Sequence, residues 1–204
     1  MQNFRILNLP NDPLKDKASL IAKYELESRL YHIEKPSILK DDIIDLFRTA
    51  GLDIDSVVVF TTYASKLGTD SNRIIHADVK WNKLTNSWEN ITCGINWELT
   101  DIKGQFKWWN MDAVKAIYPG AFKGDTYPFT QLSGIHYEYR MRLGVPQKAI
   151  LLEETDTACP LLVRTDIPHS VTFPGVGRIS ISVRFTDNLL KWEDAVARLS
   201  PFIV

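Results

Sequence analysis

The sequence predicts a mainly β domain, a sandwich or barrel core flanked by a few helices. From residue 56 onward the hydrophobic period changes from helical to alternating, and short β-branched or aromatic runs recur between turn residues. Aromatic residues make up 11% of the chain and include six Trp, side chains that favour strands and supply large buried area. At 204 residues the chain fits one domain with one substantial core. The expected division is a helical N-terminal support over 1–54, a strand core over 55–186 and a C-terminal helix over 187–204.

Residues 13–25 place Leu14, Leu20, Ile21 and Tyr24 at helical spacing. A second helix is expected to open at Ser37 as cap, carry Asp41 and Asp42 in its first turns and end at Gly51. Strands are expected at 56–62, at 73–81, where Ile75, Ala77 and Val79 alternate with His76, Asp78 and Lys80, and at 90–99, 105–111 and 135–143. Four more are expected at 149–153, 161–165, 170–173 and 178–185, and Asp187 or Asn188 should cap a last helix over 189–199. The stretch 112–133, with two Pro and two Gly, is too irregular for a simple hairpin and reads as a lid or binding loop.

Composition excludes several function classes. Twenty-four Lys and Arg against 25 Asp and Glu give a net charge of -1, with a pI near 6.4, so binding of nucleic acid by bulk electrostatics is disfavoured. Cys93 and Cys159 show no zinc-ligand spacing and no disulfide framework. No window approaches the roughly 20 apolar residues of a membrane span, and the N-terminal residues lack a signal-like run. A soluble, cytoplasmic protein without a membrane partner is the expectation.

Three features converge on one chemistry. His76-Ala77-Asp78 sets an imidazole and a carboxylate two residues apart on a strand, hence on one face. His169 follows Pro168 at the start of another strand, and Arg178, Ser180, Ser182 and Arg184 then alternate with Ile179, Ile181, Val183 and Phe185. Two His and one carboxylate are the ligand set of the facial triad of non-haem Fe(II). An Arg in the same cavity can hold a carboxylate by a bidentate pair, and a nearby Ser can add a hydrogen bond.

With His76-x-Asp78, distal His169 and Arg178-x-Ser180, the sequence resembles the Fe(II)/2-oxoglutarate-dependent dioxygenases. The similarity covers about residues 55–186. Together with CGINWELT and FKWW, the segment from Leu161 to Phe185 looks most like small bacterial and phage members near the aspartyl/asparaginyl β-hydroxylase and prolyl hydroxylase branches. The resemblance implies a double-stranded β-helix (jelly-roll, cupin-like) core, with Fe(II) on His76, Asp78 and His169. It implies 2-oxoglutarate against Arg178 and Ser180, with O2 as second cosubstrate, and hydroxylation of a protein side chain or small molecule with release of succinate and CO2. The prime substrate does not follow from it. Asn96 and Arg184 are further candidates for the cosubstrate cavity. The interval from His76 to His169 is longer than in many members, which implies an inserted loop, with 112–133 as candidate.

Two rival readings stand beside this one. Arg178-x-Ser180-x-Ser182-x-Arg184 is similar to the Arg-x-Asn-x-Thr-x-Arg strand of oxidative nucleic-acid demethylases, but Ser replaces both Asn and Thr and the distance from His169 is shorter. A non-catalytic jelly-roll binding or structural module would make the polar residues incidental. His136, in an alternating stretch with Glu138, Arg140 and Arg142, reads as part of an exposed face, and His32 as structural.

Overall fold

A computed structural model describes residues 2–25, 31–61, 75–82, 87–111, 116–117, 132–137, 149–173, 177–187 and 190–204. Its strands are β1 (Phe4–Ile6), β2 (Tyr31–Glu34), β3 (Ile54–Thr61), β4 (Ile75–Asn82), β5 (Ser87–Asn90), β6 (Cys93–Glu98), β7 (Gln105–Met111), β8 (Ala116–Ile117), β9 (Leu132–Tyr137), β10 (Ala149–Asp156), β11 (Leu161–Arg164), β12 (His169–Thr172) and β13 (Ile179–Phe185). The helices are α1 (Lys17–Tyr24), α2 (Asp41–Thr49) and α3 (Trp192–Arg198).

All strand pairs are antiparallel and fall into two sheets. The first has the order β1-β11-β6-β13-β3-β2, the second β10-β7-β12-β4-β9-β8 with β5 beside the end of β4. The chain passes repeatedly between them: β3 is followed by β4 in the other sheet, β6 returns, β7 leaves again, and β11, β12 and β13 alternate. The jelly-roll, cupin-like core expected from the sequence is corrected here. Each sheet ends in strands with one open side, β1 and β2 in the first and β10 and β8 in the second, and among the described residues neither sheet closes into a barrel. Alternation reports which face a side chain takes and carries no information on whether the edges of a sheet meet.

One face of the first sheet is covered by the helices. Val57 and Val59 of β3, Ile95 and Trp97 of β6, and Ile179, Ile181 and Val183 of β13 pack against Leu20, Ile43, Phe47, Trp192 and Leu199. A smaller core joins the sheets, with Phe106 and Trp108 of β7 against Leu161 and Val163 of β11 and Phe4 of β1. Every residue of β13 is therefore buried, the apolar set under the helices and the polar set between the sheets.

Several boundaries differ from expectation for local reasons. Ser37 does not cap α2: Pro36–Ile38 forms a 3-10 turn, Leu39 is extended and bridges to Leu14, and the helix starts after Lys40. Asp41 and Asp42 do occupy its first turn, and Gly51, at φ 71°, ends it. Asp16 caps α1 by accepting from the Ser19 amide. Asp187 does not cap α3, whose N-cap position is Lys191, and Asn188 lies outside the described residues. β1, β2, β5 and β8, of two to four residues, were not signalled by alternation, which needs a longer run to stand out. Most of the candidate loop 112–133, and Glu138, Arg140 and Arg142, lie outside the described residues.

Candidate functional site

The polar face of β13 meets β4 across the space between the sheets. β4 is clamped there by its backbone: the Asp78 amide donates to the Thr165 carbonyl at 2.8 Å and the Ile91 amide donates to the Asp78 carbonyl at 3.0 Å. From this position the Asp78 carboxylate reaches two partners. Its Oδ2 accepts from Nη2 of Arg184 at 2.5 Å, and its Oδ1 lies 3.9 Å from Nε2 of His169. Asp78, His169 and Arg184 are all buried.

His169 opens β12, and its Cα is paired in register with that of His76 on β4 and, on the other side, with Trp108 on β7. The Trp109 amide donates to the Pro168 carbonyl and fixes the entry to that strand. Phe106 stacks on the His169 ring, with centroids 5.0 Å apart at 20°. Nδ1 of His169 lies 2.9 Å from the Ile167 carbonyl, which can only accept, so Nδ1 carries a proton, and Nε2 is the ring nitrogen turned toward Asp78. A ring nitrogen and a carboxylate oxygen aimed at each other suit a cation between them. Two atoms bound cis to one ion at about 2.1 Å lie about 3.0 Å apart, so the 3.9 Å separation would close by about 1 Å for both to share one ion.

Of the three expected ligands, the side chains of Asp78 and His169 are described and that of His76 is not. Among the described residues no three His, Cys, Asp or Glu side chains form a group that could hold a metal. Asp78 and His169 are together; the side chain of His76 lies outside the described ones, although its backbone sits directly opposite His169. The side chain of His136, the register partner of His76 on β9, and that of Lys80 are likewise outside.

Arg184 lies across Gly94 of β6. A Cβ at Gly94 would meet Arg184 Nη1 at 2.8 Å and Ser182 Oγ at 2.9 Å, so glycine leaves the room the guanidinium occupies. Nη1 also donates to Thr165 Oγ1 at 3.3 Å, and that hydroxyl donates to the Ile91 carbonyl at 2.6 Å.

Arg178 is not a solvated residue either. Its Nε donates to Glu98 Oε2 at 2.7 Å, and its guanidinium lies 5.5 Å from the Phe173 ring centre. The Thr157 hydroxyl, 3.2 Å away, is a second donor to Glu98 Oε2. Burial outweighs Arg178 and Thr157 and pushes the Glu98 carboxyl up to about 7, while burial lowers Arg178 against the opposing pull of Glu98. Ser180 is buried and pairs in register with Glu98, and Ser182 with Asn96. Between the two ion pairs, Asn96 Oδ1, Glu98 Oε1, Ser182 Oγ and Arg184 Nε are buried with no hydrogen-bond partner among the described residues. An unsatisfied buried polar atom costs about 1–3 kcal/mol, so these four make the strip an unusually polar part of the interior.

Sequence reasoning missed Glu98, Gly94, Thr157 and Thr165. The signal for Glu98 was present: Gly94, Asn96 and Glu98 alternate with Cys93, Ile95 and Trp97, so choosing Asn96 for the cavity implied Glu98. Cys93, on the helix side, has its thiol pushed up to about 12 by burial and is a core residue rather than a nucleophile. His32 stacks on Tyr24 at 4.2 Å. No helix among the described residues is long and apolar enough to cross a membrane. No protein-family model, no curated protein and no solved structure matches the chain.

Proposed function

We propose that this protein is a non-haem Fe(II)- and 2-oxoglutarate-dependent oxygenase whose metal is held by His76, Asp78 and His169. The observation that carries the reading is the convergence of Asp78 Oδ1 and His169 Nε2 at 3.9 Å, with His76 in register opposite His169. When bound, the metal and cosubstrate supply oxygen activation and oxidative decarboxylation to succinate and CO2. The remaining tasks fall to the chain's own residues. The Ile167 carbonyl holds the His169 tautomer that presents Nε2, and the Phe106 ring holds its plane. Arg184 holds Oδ2 of Asp78, and Oδ1 is the oxygen turned toward His169.

Arg178 and Ser180, with Asn96 and Arg184 along the same strip, form the polar wall that receives the carboxylates of 2-oxoglutarate. The partnerless atoms of Asn96, Ser182 and Arg184 support this, because a dicarboxylate with a keto group brings acceptors, and bound water brings donors, to a strip otherwise left unsatisfied. Hydroxylation of a protein side chain or a small molecule is the outcome we assign. A reducing, cytoplasmic setting accompanies it, supported by two free cysteines, one of them exposed.

Anaerobic addition of Fe(II) and then 2-oxoglutarate tests the reading. A weak visible charge-transfer band should appear in the wild type and be lost in His169→Ala. A wild type that gives no band and binds no 2-oxoglutarate refutes it.

A further inference from the structure

The strip between the sheets holds a second carboxylate that the metal does not use. Glu98 and Arg178 are paired at 2.7 Å with side chains only 5% and 8% exposed, and Glu98 Oε1 has no hydrogen-bond partner among the described residues. Glu98 is the last residue of β6, with Ser180 of β13 at its side in register, and although β11 pairs β6 only as far as Asn96, its side chain is enclosed. A strand residue so enclosed cannot swing aside to solvent when a ligand arrives at Arg178.

We infer that a carboxylate binding at Arg178 is taken up together with one proton, which goes to Glu98. The inference rests on the oxygenase reading, in which the far carboxylate of 2-oxoglutarate is that ligand. Two carboxylates sharing one guanidinium in a water-poor site cannot both stay ionised at little cost, and the lower-cost response is protonation of the one already disfavoured as an anion. The balance is simple: Glu98 carboxylate, a solvent proton and the ligand dianion give the neutral Glu98 acid beside the bound dianion. No bond of the ligand changes. The new O–H gives Glu98 a donor, and its partnerless oxygen edge then becomes a hydrogen-bonding edge for the ligand.

The charged group acting on Glu98 is Arg178, with the Thr157 hydroxyl as the polar one, so neither metal-ligand position enters this titration. The carboxyl stands at about 7 before any ligand arrives, because burial outweighs the attraction of Arg178. A ligand anion raises it further. Affinity is then constant below about pH 7 and falls as pH rises above it, by up to tenfold per unit until the liganded carboxyl also ionises.

The test is binding of 2-oxoglutarate to the full chain saturated with Mn(II), without oxygen, from pH 6 to 9, with proton uptake read by calorimetry in buffers of different ionisation heat. The wild type should weaken above pH 7 and take up close to one proton per ligand at pH 8. Glu98→Gln should bind without that slope, and pyruvate, which lacks the far carboxylate, should take up no proton. A wild-type affinity flat across pH 7 to 9, a slope that survives in Glu98→Gln, or equal proton uptake with pyruvate overturns the inference. The wild-type proton count alone decides it if the variant fails to fold. Failure of the metal-loaded wild type to bind 2-oxoglutarate at pH 6 is a different result: it overturns the oxygenase reading and this inference with it.

Discussion

Arg184 of β13 donates from Nη2 to Oδ2 of Asp78 on β4 at 2.5 Å, and this single contact ties the two sheets together at the candidate metal site. The side chains are 7% and 13% exposed, so each charge depends on the other for its solvation. Removing one partner takes away the nearest opposite charge of a buried group, a loss of about 3–5 kcal/mol. Arg184→Met is therefore expected to lower unfolding free energy by that amount in chemical denaturation. Adding Asp78→Asn to the same chain should recover part of it without restoring metal binding. A loss below about 1 kcal/mol in the single variant would show that the pair is not structural.

Gly94 gives Arg184 its path across β6. Gly94→Ala places a Cβ 2.8 Å from Nη1 and 2.9 Å from Ser182 Oγ, so the guanidinium must move off Asp78 or the strands must part. The expected cost is about 1–3 kcal/mol, seen as a lower thermal midpoint. An unchanged midpoint would mean that Arg184 has another way to lie.

Phe106 supports both the inter-sheet core and the His169 ring. Phe106→Ala should cost about 3–5 kcal/mol from the cavity it leaves. It should also weaken metal binding, because the imidazole loses the surface that fixes its plane. Phe106→Leu keeps most of the volume and separates the two effects: stability close to wild type with weaker metal binding is the expected pattern.

Glu98 makes stability depend on pH in a definite direction. Its folded carboxyl stands at about 7 against an ordinary value of 4.5, so the unfolded chain loses its proton first. The contribution is fully present below about 4.5 and is lost as pH rises to about 7, on the order of 3 kcal/mol in all. Urea denaturation of wild type and Glu98→Gln between pH 4.5 and 7 isolates it as the difference between the two slopes. Parallel profiles would mean that the carboxyl is not held up by burial.

Much of this arrangement was legible in the residues. Apart from β5 and β8, the strands from β3 to β13 fall on or close to the segments marked by alternation, and His169 pairs in register with His76 although the two are far apart in sequence. The polar face of β13 was the ambiguous part. Arg178, Ser180, Ser182 and Arg184 could equally have faced water, and what settles their burial is the second sheet, a long-range contact that local period does not encode. Closure was misjudged for the same reason, since β1 and β2 add to the edges of the first sheet from the N-terminal segment read as helical support. Arg178 was assigned to an incoming ligand; alternation put Glu98 on the face of Asn96, but its pairing with Arg178, 80 residues away in sequence, leaves no local trace.

The central claim is that Asp78, His169 and His76 hold one divalent metal. Titration of the apoprotein with Mn(II), followed by electron paramagnetic resonance without oxygen, tests it most directly. The account predicts one tight site per chain, weakened at least tenfold in each of His76→Ala, His169→Ala and Asp78→Asn, and retained in Arg178→Ala. Wild-type protein that binds no Mn(II), or folded His76→Ala and His169→Ala proteins that bind it as the wild type does, would contradict the account.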